Sequence, residues 1–186
     1  MMPVGRTGNL QRTWELAGIA VIFLVGSLFH FIFELSGGWR PVALIGAVNE
    51  SVWEHLKIAF MPAFLYTLIE YPFIGKRVNN FWLAKSLGLL AIPLTIVVLF
   101  YGYTAVLGHH YLPVDIFIFL AAIVAGQLLS WRVFSVPDEG LYGRIFGAIL
   151  LAAMVAAFSL LTYYPPHIFL FRNPLTNGYG IPYNFP

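Results

Sequence analysis

Residues 81–107 read FWLAKSLGLLAIPLTIVVLFYGYTAVL, and Lys85 is the only charged side chain among them. The hydrocarbon core of a bilayer is about 30 Å thick, so a helix needs about 20 apolar residues to cross it. The apolar residues here follow one another without the strict alternation of a transmembrane β-strand. The stretch therefore predicts an α-helix that spans a membrane.

Four further stretches have the same character, at about 16–35, 52–74, 113–134 and 145–164. The whole composition agrees with them, because 60% of the 186 residues are hydrophobic, 10% are charged and the mean hydropathy is +0.81. A soluble domain of this length contains far more charge. We therefore predict an all-α integral membrane bundle of five transmembrane helices, forming one domain over residues 1–186 and embedded in a lipid bilayer.

Three segments outside the long apolar stretches also have sequence patterns that predict local structure. Ser51 followed three residues later by Glu54 fits a capping box, in which the two side chains satisfy free backbone groups at a helix start. The preceding residues 41–48 are apolar but too few to span, so we predict a short re-entrant or interfacial segment. Residues 165–186 are rich in Pro, Gly and Asn, which indicates an ordered outer tail instead of a helix.

Lysine and arginine residues are unevenly divided between the two ends of the predicted helices. The end shared with the N-terminus has Arg6, Arg12, Lys76, Arg77, Lys85, Arg132 and Arg144. The other end has Arg40, Lys57 and Arg172. Because cytoplasmic loops carry the excess of basic residues, we predict that the N-terminus is cytoplasmic and the C-terminus extracytoplasmic.

Histidines and several acidic residues gather at the predicted outer end of the bundle. They are His30, His55, His109, His110 and His167, together with Glu34, Glu50, Glu54 and Asp115. An ionised side chain at the centre of a membrane helix costs about 2.5–3.5 kcal/mol, so such groups usually face a wet cavity, a partner or an ion. We predict a shared polar pocket at this end.

We predict that His30, Glu34, His55 and His110 bind a metal ion. His30 and Glu34 are four residues apart, which places them on one face of a continuous helix. His55 falls in the first turn of the second helix, where the helix dipole disfavours protonation and so favours the neutral imidazole that a metal needs. His30 and Glu34 could supply two metal ligands or form one hydrogen-bonded pair. The alternative is that His30, flanked by aromatic residues, only extends to the membrane interface.

Other residues receive catalytic or supporting roles. We predict Glu50 and Glu54 as catalytic acids or bases. The residues predicted to support the metal ligands are Asp115, His167, Lys57 and Arg172. Two alternatives stay open, because Glu54 is also explained by the capping box and Asp115 by a stabilising position near a helix N-terminus.

The side chains available as ligands restrict which metal or cofactor the chain could bind. The chain has no cysteine, which excludes thiolate zinc sites and iron–sulfur clusters. Imidazole with carboxylate suits Zn²⁺, Fe²⁺ or Mn²⁺, and three protein ligands with an open position suit hydrolysis. Two histidines from different helices could also ligate a b-type haem, although no feature selects that cofactor.

Three motifs resemble a family of small bacterial and archaeal multi-pass membrane proteins known only as a domain of unknown function. They are Ala47-Val-Asn-Glu-Ser-Val-Trp-Glu-His-Leu-Lys57, Phe81-Trp-Leu-Ala-Lys85 and Tyr164-Pro-Pro-His-Ile-Phe-Leu-Phe-Arg-Asn-Pro174. The resemblance implies a multi-pass fold in the cytoplasmic membrane of a prokaryote. It implies no activity, cofactor or catalytic residue.

Ser51-Val-Trp-Glu-His-Leu56 is also similar to a string in the second helix of the adiponectin-receptor and alkaline-ceramidase membrane zinc hydrolases. That similarity implies a zinc-ligand position at His55. The group has seven helices and a paired His-x-x-x-His on the last one, and this sequence has neither.

We therefore interpret the chain as a metal-dependent hydrolase acting on a lipid-like substrate. The first alternative is an accessory subunit of a larger membrane complex, because small size and long aromatic-rich helices suit burial against partner subunits. The second is a proton or cation transporter, because ionisable residues inside membranes often line an ion path. No basic run indicates binding to nucleic acid.

Overall fold

The structure is a computed structural model that describes residues 4–182. Its helices are α1 (Val4–Phe29), α2 (Ile32–Leu35), α3 (Val52–Glu70), α4 (Phe81–Leu107), α5 (Leu112–Phe134) and α6 (Gly140–Tyr163). Two 3₁₀ turns lie at Arg40–Leu44 and Phe169–Phe171, and a π-helical turn at Tyr71–Gly75 continues α3. The part of the chain that the structure describes contains one isolated antiparallel bridge, between Arg172 and Tyr179.

Five of these elements are long and apolar enough to cross a membrane. The spans are Gly8–Phe29, Val52–Gly75, Phe81–Leu107, Leu112–Phe134 and Gly140–Tyr163. Large apolar side chains such as Leu24, Val106 and Ile149 are exposed on them, as expected for a surface in contact with lipid. The predicted all-α bundle of five membrane-spanning helices is confirmed.

The first predicted helix, 16–35, differs from the observed one in both bounds. α1 begins at Val4 and ends at Phe29, and α2 is a separate short helix. In a continuous helix, the carbonyl of Phe29 would accept from the backbone N–H four residues later. Here it accepts from the N–H of Ala47 at 3.1 Å, so the incoming chain replaces a helical hydrogen bond and a turn forms at His30 and Phe31.

Glycines let the helices approach closely, and Gly88 and Gly147 are two examples. A Cβ placed on Gly88 of α4 would lie 2.6 Å from the carbonyl oxygen of Gly126 on α5, closer than real Cβ contacts allow. A Cβ on Gly147 of α6 would lie 2.4 Å from the backbone of Trp82 at the start of α4. Small residues at helix crossings are typical of membrane bundles, because packing there depends on close backbone contact.

The segment before α3 is held against the bundle by a buried lysine. Its 3₁₀ turn presents the carbonyl of Ala43, which accepts from Lys57 Nζ at 2.8 Å. Ala43, Ala47 and Val48 are buried. Lys57 thereby satisfies a backbone carbonyl of this irregular segment, whose re-entrant or interfacial position stays a prediction.

The C-terminal segment folds back over the start of α3. The ring of Phe171 stacks on Trp53 with centroids 4.5 Å apart. The side-chain amide of Asn49 donates to the carbonyl of Gly180 at 2.8 Å. Residues 165–182 therefore cover one end of the bundle, and the remainder of the predicted tail, 183–186, lies outside the described residues.

Candidate metal centre

Three side chains from two stretches of the chain converge where α1 ends and α3 begins. Nε2 of His30 lies 3.2 Å from Nε2 of His55. Oε2 of Glu50 lies 3.6 Å from each of these two nitrogens. Among the residues that the structure describes, this is the only group of three or more histidine or acidic side chains arranged to hold a metal ion.

Local structure positions each of the three. His30 lies at the turn that separates α1 from α2, and Glu50 precedes the N-cap of α3. The backbone N–H of Ser51 donates to Oδ1 of Asn49 at 2.8 Å, which fixes the loop that carries Glu50. His55 follows in the first turn of α3, after the hydroxyl of Ser51 has accepted from the backbone N–H of Glu54 at 3.4 Å. The predicted N-cap at Ser51 is confirmed. The reciprocal half of the predicted capping box is not formed, because the N–H of Ser51 donates to Asn49 and the carboxylate of Glu54 accepts from Val48.

The hydrogen bond of His55 determines which ring nitrogen carries its hydrogen. Nδ1 of His55 lies 2.9 Å from the backbone carbonyl oxygen of Ser51. A carbonyl oxygen can only accept, so Nδ1 must be the donor. In the neutral ring, Nε2 then has a free lone pair, and this atom faces His30 and Glu50. Metal-binding histidines are usually oriented by a hydrogen bond of this kind from the other ring nitrogen.

The histidine and carboxylate also influence each other's protonation. The polar contact with Glu50 raises the pKa of His30, although partial burial of the ring opposes this. The contact with His30 lowers the pKa of Glu50, again against the effect of burial. The contact therefore makes His30 easier to protonate and Glu50 harder to protonate, and a metal ion would compete with a proton for the imidazole of His30.

The spacing suits a small divalent ion. With bonds of about 2.0–2.2 Å, a tetrahedral ion separates its ligand atoms by roughly 3.3–3.6 Å. The observed separations of 3.2, 3.6 and 3.6 Å are close to this range. The side chains of His30, His55 and Glu50 are 27%, 38% and 43% exposed. The triangle is therefore open to solvent on one side, which leaves room for water or a substrate.

Glu54 and Lys57 lie outside this triangle, in a buried network beneath it. Nζ of Lys57 lies 2.6 Å from Oε2 of Glu54, and the hydroxyl of Thr162 donates to Oε1 at 2.8 Å. The backbone N–H of Val48 also donates to Oε2, at 3.2 Å. The carboxylate of Glu54, predicted to be catalytic, is thus fully engaged in holding the loop and α6 against α3.

The structure does not bring Glu34 or His110 to the other predicted ligands. Glu34 is exposed, and the break after Phe29 removes the helical register that would have aligned it with His30. His110 instead lies in the turn between α4 and α5, with Nδ1 2.8 Å from Oδ2 of Asp115. The hydroxyl of Tyr103 donates to the other oxygen of Asp115. Asp115 therefore supports the α4–α5 turn.

His167 and Arg172 belong to the tail. The ring of His167 stacks on Tyr179 with centroids 4.5 Å apart. Arg172 pairs with the same tyrosine through the backbone bridge. Neither residue is a member of the metal-binding group, so the contribution of the tail is to cover the loop that carries Glu50.

Sequence reasoning overlooked one polar cluster. Nζ of Lys85 lies 2.5 Å from carboxylate oxygens of both Glu15 and Glu70, and all three side chains are buried. The signal was available, because a charged residue inside an apolar helix requires a partner. Glu15 fell one residue outside the predicted first helix, so its place in the bundle was not anticipated.

Comparison with known proteins gives a family and no activity. The Family of unknown function (DUF6512) matches residues 5–181. No curated protein and no solved structure matches the chain. The family and the five helices together describe a multi-pass membrane protein of unknown function with a group that could hold a metal ion. Since the match covers nearly the whole length, the chain belongs to the Family of unknown function (DUF6512).

Proposed function

We propose that His30, Glu50 and His55 bind a divalent metal ion, Zn²⁺, Fe²⁺ or Mn²⁺, and that the protein is a metal-dependent hydrolase acting on a lipid-like substrate. Glu50 thereby changes from the predicted general base to a metal ligand. The proposed site lies where the span Gly8–Phe29 ends and the span Val52–Gly75 begins. On the topology predicted from basic residues, this is the extracytoplasmic face.

The observation that carries the proposal is the hydrogen bond between Nδ1 of His55 and the carbonyl of Ser51. The Nδ1–H is directed to this carbonyl at 2.9 Å, so the lone pair of Nε2 is directed toward the other two ligand atoms. A histidine that only stabilised the helix start would not need a second imidazole at 3.2 Å and a carboxylate at 3.6 Å. The similarity of residues 51–56 to a zinc-hydrolase helix supports the same role for His55.

Two histidines and one glutamate are a ligand set found in catalytic zinc sites. A divalent ion held by three protein ligands lowers the pKa of a bound water and so supplies a nucleophile at neutral pH. In this chain, the three side chains fix the position of the ion, and their partial exposure leaves one side open. Glu54 and Lys57 contribute by holding the loop, because both are buried and paired.

The surroundings favour an amphipathic substrate. Leu28, Phe31 and Leu35 are exposed apolar residues on either side of His30, and Trp39 is exposed nearby in sequence. The rings of His30 and Phe31 are 4.9 Å apart. A polar centre bordered by exposed apolar side chains at the end of a membrane span suits a lipid whose headgroup reaches the metal while its chains stay in the bilayer.

Metal content of the purified protein tests the first half of the proposal. After exposure to Zn²⁺, Fe²⁺ or Mn²⁺ and removal of loosely bound ions, we expect one ion per chain in the wild type. His30→Ala, His55→Ala and Glu50→Gln should each lose it. His109→Ala is the matched control, since that ring packs on Tyr111 away from the group. A wild type that retains none of the three metals overturns the site.

Hydrolysis tests the second half. The metal-loaded protein is incubated with ester-linked and amide-linked lipids in mixed micelles, and released fatty acid is measured by mass spectrometry. We expect release by the wild type and by His109→Ala, and none by His55→Ala. If a protein that binds metal in full stoichiometry releases no acid from either class, the hydrolase assignment fails while the metal site stands.

A further inference from the structure

We infer that Glu15, Glu70 and Lys85 form a buried proton-binding site, in which the two carboxylates share one proton while Lys85 stays charged. We call these three residues the lysine cluster. It is separate from the proposed metal centre. Glu15 precedes His30 by 15 residues and Glu70 follows His55 by 15, which corresponds to about 22 Å along a helix in each case.

The lysine cluster joins three helices through one nitrogen. Nζ of Lys85 on α4 lies 2.5 Å from Oε1 of Glu15 on α1 and 2.5 Å from Oε2 of Glu70 on α3. These two oxygens are therefore at most 5 Å apart. The side chains of Lys85 and Glu70 are fully buried and that of Glu15 nearly so. Among the described residues, Oε2 of Glu15 and both carboxylate oxygens of Glu70 have no hydrogen-bond partner, so Lys85 meets Glu70 as a close ion pair without hydrogen-bond geometry.

The negative charges of Glu15 and Glu70 exceed the positive charge of Lys85 unless one carboxylate takes up a proton. Two ionised glutamates and one lysine would leave a net negative charge inside an apolar bundle, and burying an uncompensated charge is strongly unfavourable. Two carboxylates close together resolve this by sharing a proton. The added O–H also gives a donor to an arrangement in which buried carboxylate oxygens lack one.

The Glu54–Lys57 pair in the same protein shows the contrast. There one glutamate meets one lysine, and the carboxylate accepts further hydrogen bonds from Thr162 and Val48. Charge and hydrogen bonds are both balanced without an added proton. In the lysine cluster, a second glutamate is present and neither requirement is met by the side chains alone.

The described side chains around the lysine cluster supply no second cation. On α3, the hydroxyl of Tyr66 donates to the backbone carbonyl of Trp14 and is thereby occupied. On α5, the amide of Gln127 donates to the backbone carbonyl of Glu15 and not to its carboxylate. The rings of Phe81 and Phe134 lie about Lys85. Among residues 8–182, whose side chains the structure describes, Lys85 is the only basic side chain paired with either glutamate.

The same geometry indicates a proton in preference to a metal cation, because the ammonium of Lys85 already contacts both carboxylates. Glu70 is also the last residue of α3, directly before the π-helical turn Tyr71–Gly75. Single π-helical turns inside helices are frequent at functional sites. Here the turn places an irregular backbone next to the carboxyl group that would exchange its proton.

Infrared spectroscopy of the purified full-length protein at pH 7 tests the inference, because a protonated carboxyl group has a carbonyl band that a carboxylate lacks. Carboxyl-labelled glutamate shifts that band and separates it from aspartate. We expect one protonated glutamate in the wild type and none in Glu15→Gln or Glu70→Gln, since either change leaves one carboxylate to pair with Lys85. Lys85→Met should show two.

Glu34→Gln is the matched control, because Glu34 is exposed and lies outside the lysine cluster, and it should keep the wild-type band. The inference is overturned if the wild type shows no protonated glutamate at pH 7. It is equally overturned if the band persists in both Glu15→Gln and Glu70→Gln. The wild-type measurement decides by itself if Lys85→Met does not fold.

Discussion

Ser51 accepts hydrogen bonds from two nearby residues, one through its hydroxyl and one through its backbone carbonyl. Its hydroxyl accepts from the backbone N–H of Glu54 at 3.4 Å and caps α3. Its backbone carbonyl accepts from Nδ1 of His55 at 2.9 Å and orients the proposed metal ligand. The first function depends on the serine side chain, whereas the second depends only on the backbone, so a substitution can separate them.

Ser51→Ala should therefore lower stability without abolishing metal binding. Loss of an N-cap hydroxyl costs about 0.5–2 kcal/mol, and the carbonyl that orients His55 is kept. Thermal unfolding in detergent, followed by circular dichroism, measures the first effect, and metal content after loading measures the second. Complete loss of metal from a folded Ser51→Ala protein would contradict this division of roles.

The ion pair of Lys57 and Glu54 leads to a prediction about paired substitutions. Lys57→Met leaves the buried carboxylate of Glu54 without its cation, which costs about 3–5 kcal/mol. Adding Glu54→Gln removes the unpaired charge, so the double variant should be more stable than Lys57→Met alone. Unfolding free energies of the four proteins in this cycle measure the coupling. A double variant as unstable as the sum of the single changes would refute a direct pair.

At the scale of elements, the close approach of α4 and α5 depends on Gly88. A Cβ at this position would lie 2.1 Å from Oγ of Ser130 and 2.6 Å from the backbone oxygen of Gly126. The second contact is with backbone, which cannot rotate away. The two helices would have to separate, and Ser130 would lose its hydrogen bond to the carbonyl of Ala84.

Gly88→Ala is accordingly expected to destabilise the bundle by about 1–3 kcal/mol, the usual cost of overpacking. Gly102 lies on the same helix, and a methyl group added there would have nothing within 4 Å of it. Gly102→Ala should therefore leave stability unchanged or raise it by up to about 1 kcal/mol, as alanine is the better helix former. Unfolding midpoints of both variants give the comparison. If both substitutions changed the unfolding midpoint equally, the backbones of α4 and α5 would not be in close contact at Gly88.

For the whole molecule, the ratio of basic residues between the two ends of the bundle becomes larger once the buried lysines are left out. Lys57 and Lys85 are fully buried and paired, so they are not loop charges. The end shared with the N-terminus then keeps Arg6, Arg12, Lys76, Arg77, Arg132 and Arg144. The other end keeps Arg40 and Arg172. The asymmetry still predicts a cytoplasmic N-terminus.

Site-directed labelling tests this orientation directly, because the chain has no cysteine of its own. Lys76→Cys and His109→Cys place single thiols at exposed positions in the turns at opposite ends of α4. A membrane-impermeant maleimide added to intact cells should label His109→Cys and should reach Lys76→Cys only after permeabilisation. The reverse pattern would invert the orientation and place the proposed metal centre in the cytoplasm.

Some features of this protein follow from the local sequence, and others depend on how the helices pack. Local sequence was sufficient for the all-α class, for the five membrane helices and for the N-cap at Ser51, because hydropathy over 20 residues and capping depend on neighbours in the chain. The sequence also named His30 and His55, which the structure places in the group that could hold a metal ion. It did not anticipate that Glu34 lies apart from His30, because the carbonyl of Phe29 accepts from Ala47 and α1 ends before reaching Glu34.

Only the tertiary structure decided which polar side chains meet. It brought Glu50 to the two histidines, paired His110 with Asp115 and placed Lys85 between Glu15 and Glu70. The physical reason is that burial in a bilayer is set by the composition of each helix, whereas contacts between side chains depend on the rotation and depth of helices packed on one another. Those depend on close contacts such as Gly88 against Gly126, which no single stretch of sequence contains.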